Sequence, residues 1–103
     1  MIESRDIVGF DWDEGNSRKN ENHGVSQSEA EQVFFSSPLI MQEDEKHSRN
    51  EPRIHALGMT NARRLLHLTF TPRFGGSRVR VISARDTHRK EREVYARKTE
   101  KNT

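Results

Sequence analysis

Apolar and polar residues alternate with period two across residues 53–84, and no other feature limits the fold as strongly. Leu66, Leu68 and Phe70 fall on one side of a strand, and His67, Thr69 and Thr71 on the other. The spacing predicts three strands, at residues 53–59, 64–71 and 78–84. Thr60-Asn61 ends the first, and Gly75-Gly76 lies in a hairpin turn before the third. Such a meander is antiparallel and has two unlike faces, one apolar and covered by a helix, the other polar. The polar face is also basic: Arg78 and Arg80 oppose Val79 and Val81, and Arg53 shares a side with His55. Leu57, Leu65 and Ile82 break the pattern, since they fall on the polar parity.

The flanks supply helices. Residues 7–12 are apolar and read as a first strand or an extended lead-in. Asp13 suits an N-cap and Gly24 a C′ position, so residues 13–23 between them read as a weak helix. Ser26 and Glu29 match a capping box. Ala30, Val33 and Phe34 follow at helical spacing, and Ser36-Ser37-Pro38 stops that helix. Residues 38–41 read as a short strand and 42–50 as a charged loop. Asp86 or Thr87 is expected to cap a last helix reaching about residue 97, with a frayed tail from about residue 98. The expectation is an α+β fold in a single domain over residues 1–103. It has an antiparallel sheet of about four strands, N-terminal helices and a C-terminal helix.

Composition adds limits. Only 30% of the residues are hydrophobic and 33% are charged, so the core is small and part of the chain is expected to lean on a partner. There is no cysteine, which excludes disulfides and thiolate metal sites and fits a reducing cytoplasm. No apolar run approaches the ~18 residues of a membrane span. The first residues lack the basic start and apolar stretch of a signal peptide. Charge is split unevenly: residues 1–51 hold 5 basic and 12 acidic side chains, residues 52–103 hold 13 and 4. Either the basic half faces a polyanion or the two halves fold together and neutralise.

The segment Arg80-Val81-Ile82-Ser83-Ala84-Arg85 leads from a strand into a basic helix, which gathers cations and free helix N–H groups where a phosphate could be held. With other elements it resembles the BrnT toxins of type II toxin–antitoxin systems, a branch of the RelE-like ribonuclease group. Phe10-Asp11-Trp12-Asp13 is similar to the family's opening aromatic–acidic box. Lys19-Asn20, His23-Gly24-Val25-Ser26, Glu29-Ala30 and Val33-Phe34 follow in the family's order. His47, Glu51, Arg53 and Gly58 fit its central stretch, and Glu91-Arg92 with Tyr95 its ending. Asn22 stands where the family has a lysine, Pro52 separates Glu51 from Arg53, and His67-Leu68-Thr69-Phe70 replaces a tyrosine- or valine-rich strand.

The resemblance implies a RelE-like fold and a metal-independent endoribonuclease that arrests translation. It also implies a BrnA-like ribbon-helix-helix antitoxin, operator DNA bound through that antitoxin, and a homodimer within a heterotetramer. RNA cleavage of this kind uses the ribose 2′-OH as nucleophile, passes a doubly charged phosphorane and protonates the departing 5′-oxygen. Arg53, Arg80 and Arg85 are the expected phosphate ligands, because a guanidinium fork binds two oxygens at once. His23 is the expected acid–base group and Glu51 a candidate base for the 2′-OH. Lys19, Arg78 and Arg89 are expected RNA contacts. Each also has a plainer reading: a solvated arginine, a helix-terminating histidine, a loop carboxylate. His47, His55, His67 and His88 show no metal-ligand spacing, so no metal or other cofactor is expected. Two function classes stay open: an RNA-cutting toxin, and a non-catalytic homologue that binds only its antitoxin and the operator complex, which Asn22 favours.

Overall fold

Period-two alternation becomes a sheet that is buried on one side. The computed structural model describes residues 4–13, 15 and 23–101. Its elements are β1 (Gly9–Asp11), α1 (Gln27–Val33), β2 (Ile40–Glu43), β3 (Ile54–Met59), β4 (Leu65–Arg73), β5 (Arg78–Asp86) and α2 (Arg89–Lys101). The strands lie in the order β1-β5-β4-β3-β2. β2 to β5 pair antiparallel with their neighbours, whereas β1 pairs parallel with β5. The sheet therefore has five strands and is mixed, correcting the expectation of about four antiparallel ones. The reason is topological. The chain leaves β1 through α1, starts again at the far edge with β2, and winds back until β5 lies beside β1.

Side-chain alternation sets what α1 covers. Ala30, Val33 and Phe34 pack on Leu66, Leu68, Phe70, Val79 and Val81, all within 1% of full burial. The Phe34 and Phe70 rings meet edge-on with centroids 4.9 Å apart, and Phe10 adds a third ring 5.4 Å from Phe34. The expected capping box forms: Ser26 Oγ accepts from the Glu29 N–H and Glu29 Oε1 from the Ser26 N–H, each at 3.1 Å. Gly58 lets α1 approach β3, because a Cβ there would lie 2.5 Å from Ser36 Oγ and 2.9 Å from Val33 Cγ1. A short 3-10 turn, Ser4–Asp6, and a helical Gly15 precede α1; most of the weak helix expected at residues 13–23 lies outside the described residues.

The last helix starts later than expected. Asp86 ends β5 and pairs with Arg64 at 2.8 Å, so it does not act as the cap. Instead the His88 N–H donates to Glu91 Oε1 at 2.8 Å, and the helix continues to Lys101, beyond residue 97. Tyr95 is buried and its hydroxyl donates to the Pro38 carbonyl at 3.0 Å, which ties α2 to the segment before β2. Among the described residues no helix is long and apolar enough to cross a membrane.

Candidate active site

The face of the sheet opposite α1 depends on one extra residue in β5. Thr69 lies opposite Ser83, while Phe70 lies opposite Val81, so Ile82 is a bulge. Strict alternation would put Arg80 and Arg85 on opposite faces, since they are an odd number of residues apart. The bulge resets the parity. Val79, Val81 and Ala84 then all point to the core, and Arg78, Arg80, Ser83 and Arg85 all point to the open face.

The registers extend this face across three strands. Leu57 opposes His67, and His67 opposes Arg85. In the next row His55 opposes Thr69 and Thr69 opposes Ser83. Thr71 opposes Arg80, which is beside Asp11 of β1. The first turns of α2 cross the Leu57 end, where Ile40, Leu57, His67, Glu91 and Val94 border a cavity of about 250 Å³. Burial under α2 explains how Leu57 tolerates the polar parity.

Two histidines occupy the middle of this face. The His55 and His67 ring centroids are 5.1 Å apart. His55 Nε2 lies 2.9 Å from Asp44 Oδ2, and its Nδ1 3.0 Å from Thr69 Oγ1. Asp44 also holds His47 Nδ1 at 2.9 Å. Burial raises the Asp44 pKa, but its bonds to His55 and His47 outweigh that and hold it below the usual carboxylate range. His67 is more enclosed. Burial first, and the Arg85 charge second, push its pKa down to about 4, so its imidazole is neutral near pH 7. Its Nδ1 is buried without a hydrogen-bond partner among the described residues, as is Thr71 Oγ1. Glu91 Oε2 stands 3.7 Å from His67 Nε2.

The arginines on this face are held by carboxylates. Arg85 makes a two-point bond to Glu91, with both distances 2.9 Å. Burial raises the Glu91 pKa, but Arg85 and the His88 N–H bring it down to about 2. Arg80 Nη2 is 3.1 Å from Asp13 Oδ2. Arg78 Nε is 2.7 Å from Asp11 Oδ1, and the Arg78 side chain passes close over Gly9.

The other expected site residues take different positions. Arg53 immediately precedes β3, and its neighbour Glu51 turns instead to Arg73, at 3.6 Å. His23 is exposed beside Gly24, whose carbonyl accepts from Arg64 on the α1 side of the sheet. Arg89 lies exposed on α2, 3.3 Å from Glu93. Lys19 and Asn22 lie outside the described residues. Sequence reasoning named neither His55 nor His67 as chemical groups. The available signal was their shared position on the polar parity of neighbouring strands.

The open face thus carries guanidinium and imidazole groups on neighbouring strands, the side-chain types that bind phosphate oxygens and exchange protons. A family model described as the ribonuclease toxin BrnT of type II toxin–antitoxin systems matches residues 12–91. Comparison with curated proteins finds no match.

Proposed function

The chain belongs to the BrnT family of type II toxin–antitoxin ribonuclease toxins, and on that premise we propose that its open β3–β5 face cleaves RNA without a metal ion. The 2′-oxygen forms a bond to phosphorus, the bond from phosphorus to the 5′-oxygen breaks, and the products end in a 2′,3′-cyclic phosphate and a 5′-hydroxyl. Arg80 and Arg85 flank the phosphate and meet its growing charge, with Arg53 at the edge. Proton transfer falls to His55 and His67 rather than to His23 or Glu51. His55 is aligned by Asp44 and neutral His67 lies next to it, so one imidazole can take the 2′-hydroxyl proton while the other serves the leaving oxygen. Glu91 keeps the Arg85 fork oriented until substrate arrives.

The observation that carries this reading is the Ile82 bulge, which puts Arg80 and Arg85 on the face that carries His55 and His67, with Arg85 directly opposite His67. We assign the architecture to the RelE-like group. The partner expected of such a toxin is an antitoxin, here proposed to be a BrnA-like ribbon-helix-helix protein that brings the pair to operator DNA. Inhibition of translation in the cytoplasm follows from cutting RNA.

The test is cleavage of RNA by the purified protein in excess EDTA, with analysis of product ends. Cyclic phosphate ends, and a loss of about 10²-fold in rate for Arg85→Ala with folding checked by circular dichroism, support the assignment. Rates unchanged in both Arg80→Ala and Arg85→Ala would overturn it. Intact RNA together with retained antitoxin binding would select the non-catalytic homologue.

A further inference from the structure

Cations of two kinds stand out among the described residues. One kind is neutralised: Arg64 by Glu29 and Asp86, Arg78 by Asp11, Arg80 by Asp13, and Arg85 by Glu91. Lys46, Arg49 and Arg53 have no carboxylate partner among the described residues. They line one open cleft of about 540 Å³ together with His47, Asn50 and Glu51. Glu51 is drawn off towards Arg73.

Local structure builds this cleft. The Asp44 side chain accepts from the His47 N–H at 3.2 Å, closing the short helical turn Glu45–His47. Ser48 Oγ accepts from the Arg53 N–H at 3.0 Å, and the Asp44 N–H donates to the Arg53 carbonyl at 2.8 Å. These bonds staple the two ends of the loop together and hold Lys46 and Arg49 near Arg53. The same Asp44 carboxylate bonds His55 on the open face. The cleft thus adjoins the proposed catalytic surface, and Arg53 stands at the border.

We infer that this cleft is a phosphate subsite that holds the backbone of single-stranded RNA one or more nucleotides away from the scissile phosphate. The inference rests on the ribonuclease reading above and extends it. Cations without an internal counter-charge attract a diffuse polyanion, and a single strand gives up counterions when they engage its phosphates. The paired arginines must first leave a carboxylate, whereas Lys46 and Arg49 have none to leave among the described residues. Substrate length then matters: an RNA that reaches the cleft binds better than one that covers only the catalytic face.

Binding of a fluorescent 2′-O-methyl RNA hexamer, which cannot use its 2′-oxygen as nucleophile, tests this across a salt series, with cleavage of an ordinary RNA hexamer measured in parallel. Lys46→Gln/Arg49→Gln is compared with Arg97→Gln/Lys98→Gln, which removes the same charge from exposed residues late in α2. The cleft variant is expected to bind about fivefold more weakly. Its salt slope should fall by about 0.7, the value for one phosphate released from a single strand. The α2 variant should match the wild type. Equal loss in both variants, or no loss in either while the RNA is still cut, overturns the subsite and leaves the nuclease assignment standing. Cleft-dependent binding without any RNA cleavage sinks the nuclease assignment and keeps the subsite. Failure of the wild type to bind or cut removes both.

Discussion

His67 should make the protein lose stability in mild acid, well before carboxylates titrate. Its imidazole is enclosed between β3, β5 and α2, and its pKa falls from 6.5 to about 4. Burial is the main cause and the Arg85 charge the next; Glu91 acts in the opposite direction. The unfolded chain takes up a proton near pH 6.5, while the folded chain resists until about pH 4. The contribution is therefore complete above pH 6.5 and drains away as pH falls towards 4. At about 1.4 kcal/mol per tenfold change, the whole window is worth about 3 kcal/mol, and the part between pH 7 and pH 5 about 2 kcal/mol. That is a large share of the roughly 5–15 kcal/mol that holds a small domain folded. Urea unfolding at pH 7, 6 and 5 reads this directly. The wild type should lose about 2 kcal/mol more over that range than His67→Gln, whatever the variant's absolute stability. An NMR titration supplies a second reading: the His67 midpoint should lie near 4 and rise in Arg85→Gln. A midpoint near 6.5, or the same pH slope in wild type and His67→Gln, would refute the enclosure on which the argument stands.

Three further outcomes follow from packing and charge. Gly58→Ala pushes a methyl group into Ser36 and Val33 of the α1 connection, and should cost about 1–3 kcal/mol, seen as a fall in melting temperature. Arg64→Ala leaves Asp86 and Glu29 without their shared cation and the Gly24 carbonyl without its donor. Because Arg64 remains partly open to solvent, the expected loss is about 1 kcal/mol, shrinking in high salt; a salt-independent loss would contradict an electrostatic origin. Ser26→Ala removes the capping box of α1 and should lower stability by about 1 kcal/mol, with Ser26→Gly milder by denaturant titration.

Much of the sheet was legible because alternation and turn chemistry are local. Leu66, Leu68 and Phe70 announce a buried face, and Ser26 with Glu29 announces a helix start, without reference to anything distant. The Ile82 bulge was not legible. A bulge leaves no residue signature here, so Ile82 read as a defect in the pattern when it is the device that puts Arg80 and Arg85 on the same face. The parallel pairing of β1 was hidden for a similar reason: three residues carry it, and register with β5 is a tertiary property. His55 and His67 are 12 positions apart and meet only through the β3–β4 register. The charge split was real, yet much of it is spent internally. Arg64, Arg73, Arg78 and Arg80 of the basic half each pair with a carboxylate of the acidic half. The neutralising reading of the split thus holds in part, and Lys46 and Arg49, which have no carboxylate partner among the described residues, come from the acidic half.

RNA bound for cleavage should lie across β3, β4 and β5 on the side away from α1. Backbone amide NMR shifts on adding the 2′-O-methyl RNA hexamer map that surface. The largest changes should fall on His55, Thr69, Ser83 and Arg85, with α1 unmoved. Changes confined to α1 and the turn around His23, with the β3–β5 face silent, would contradict it.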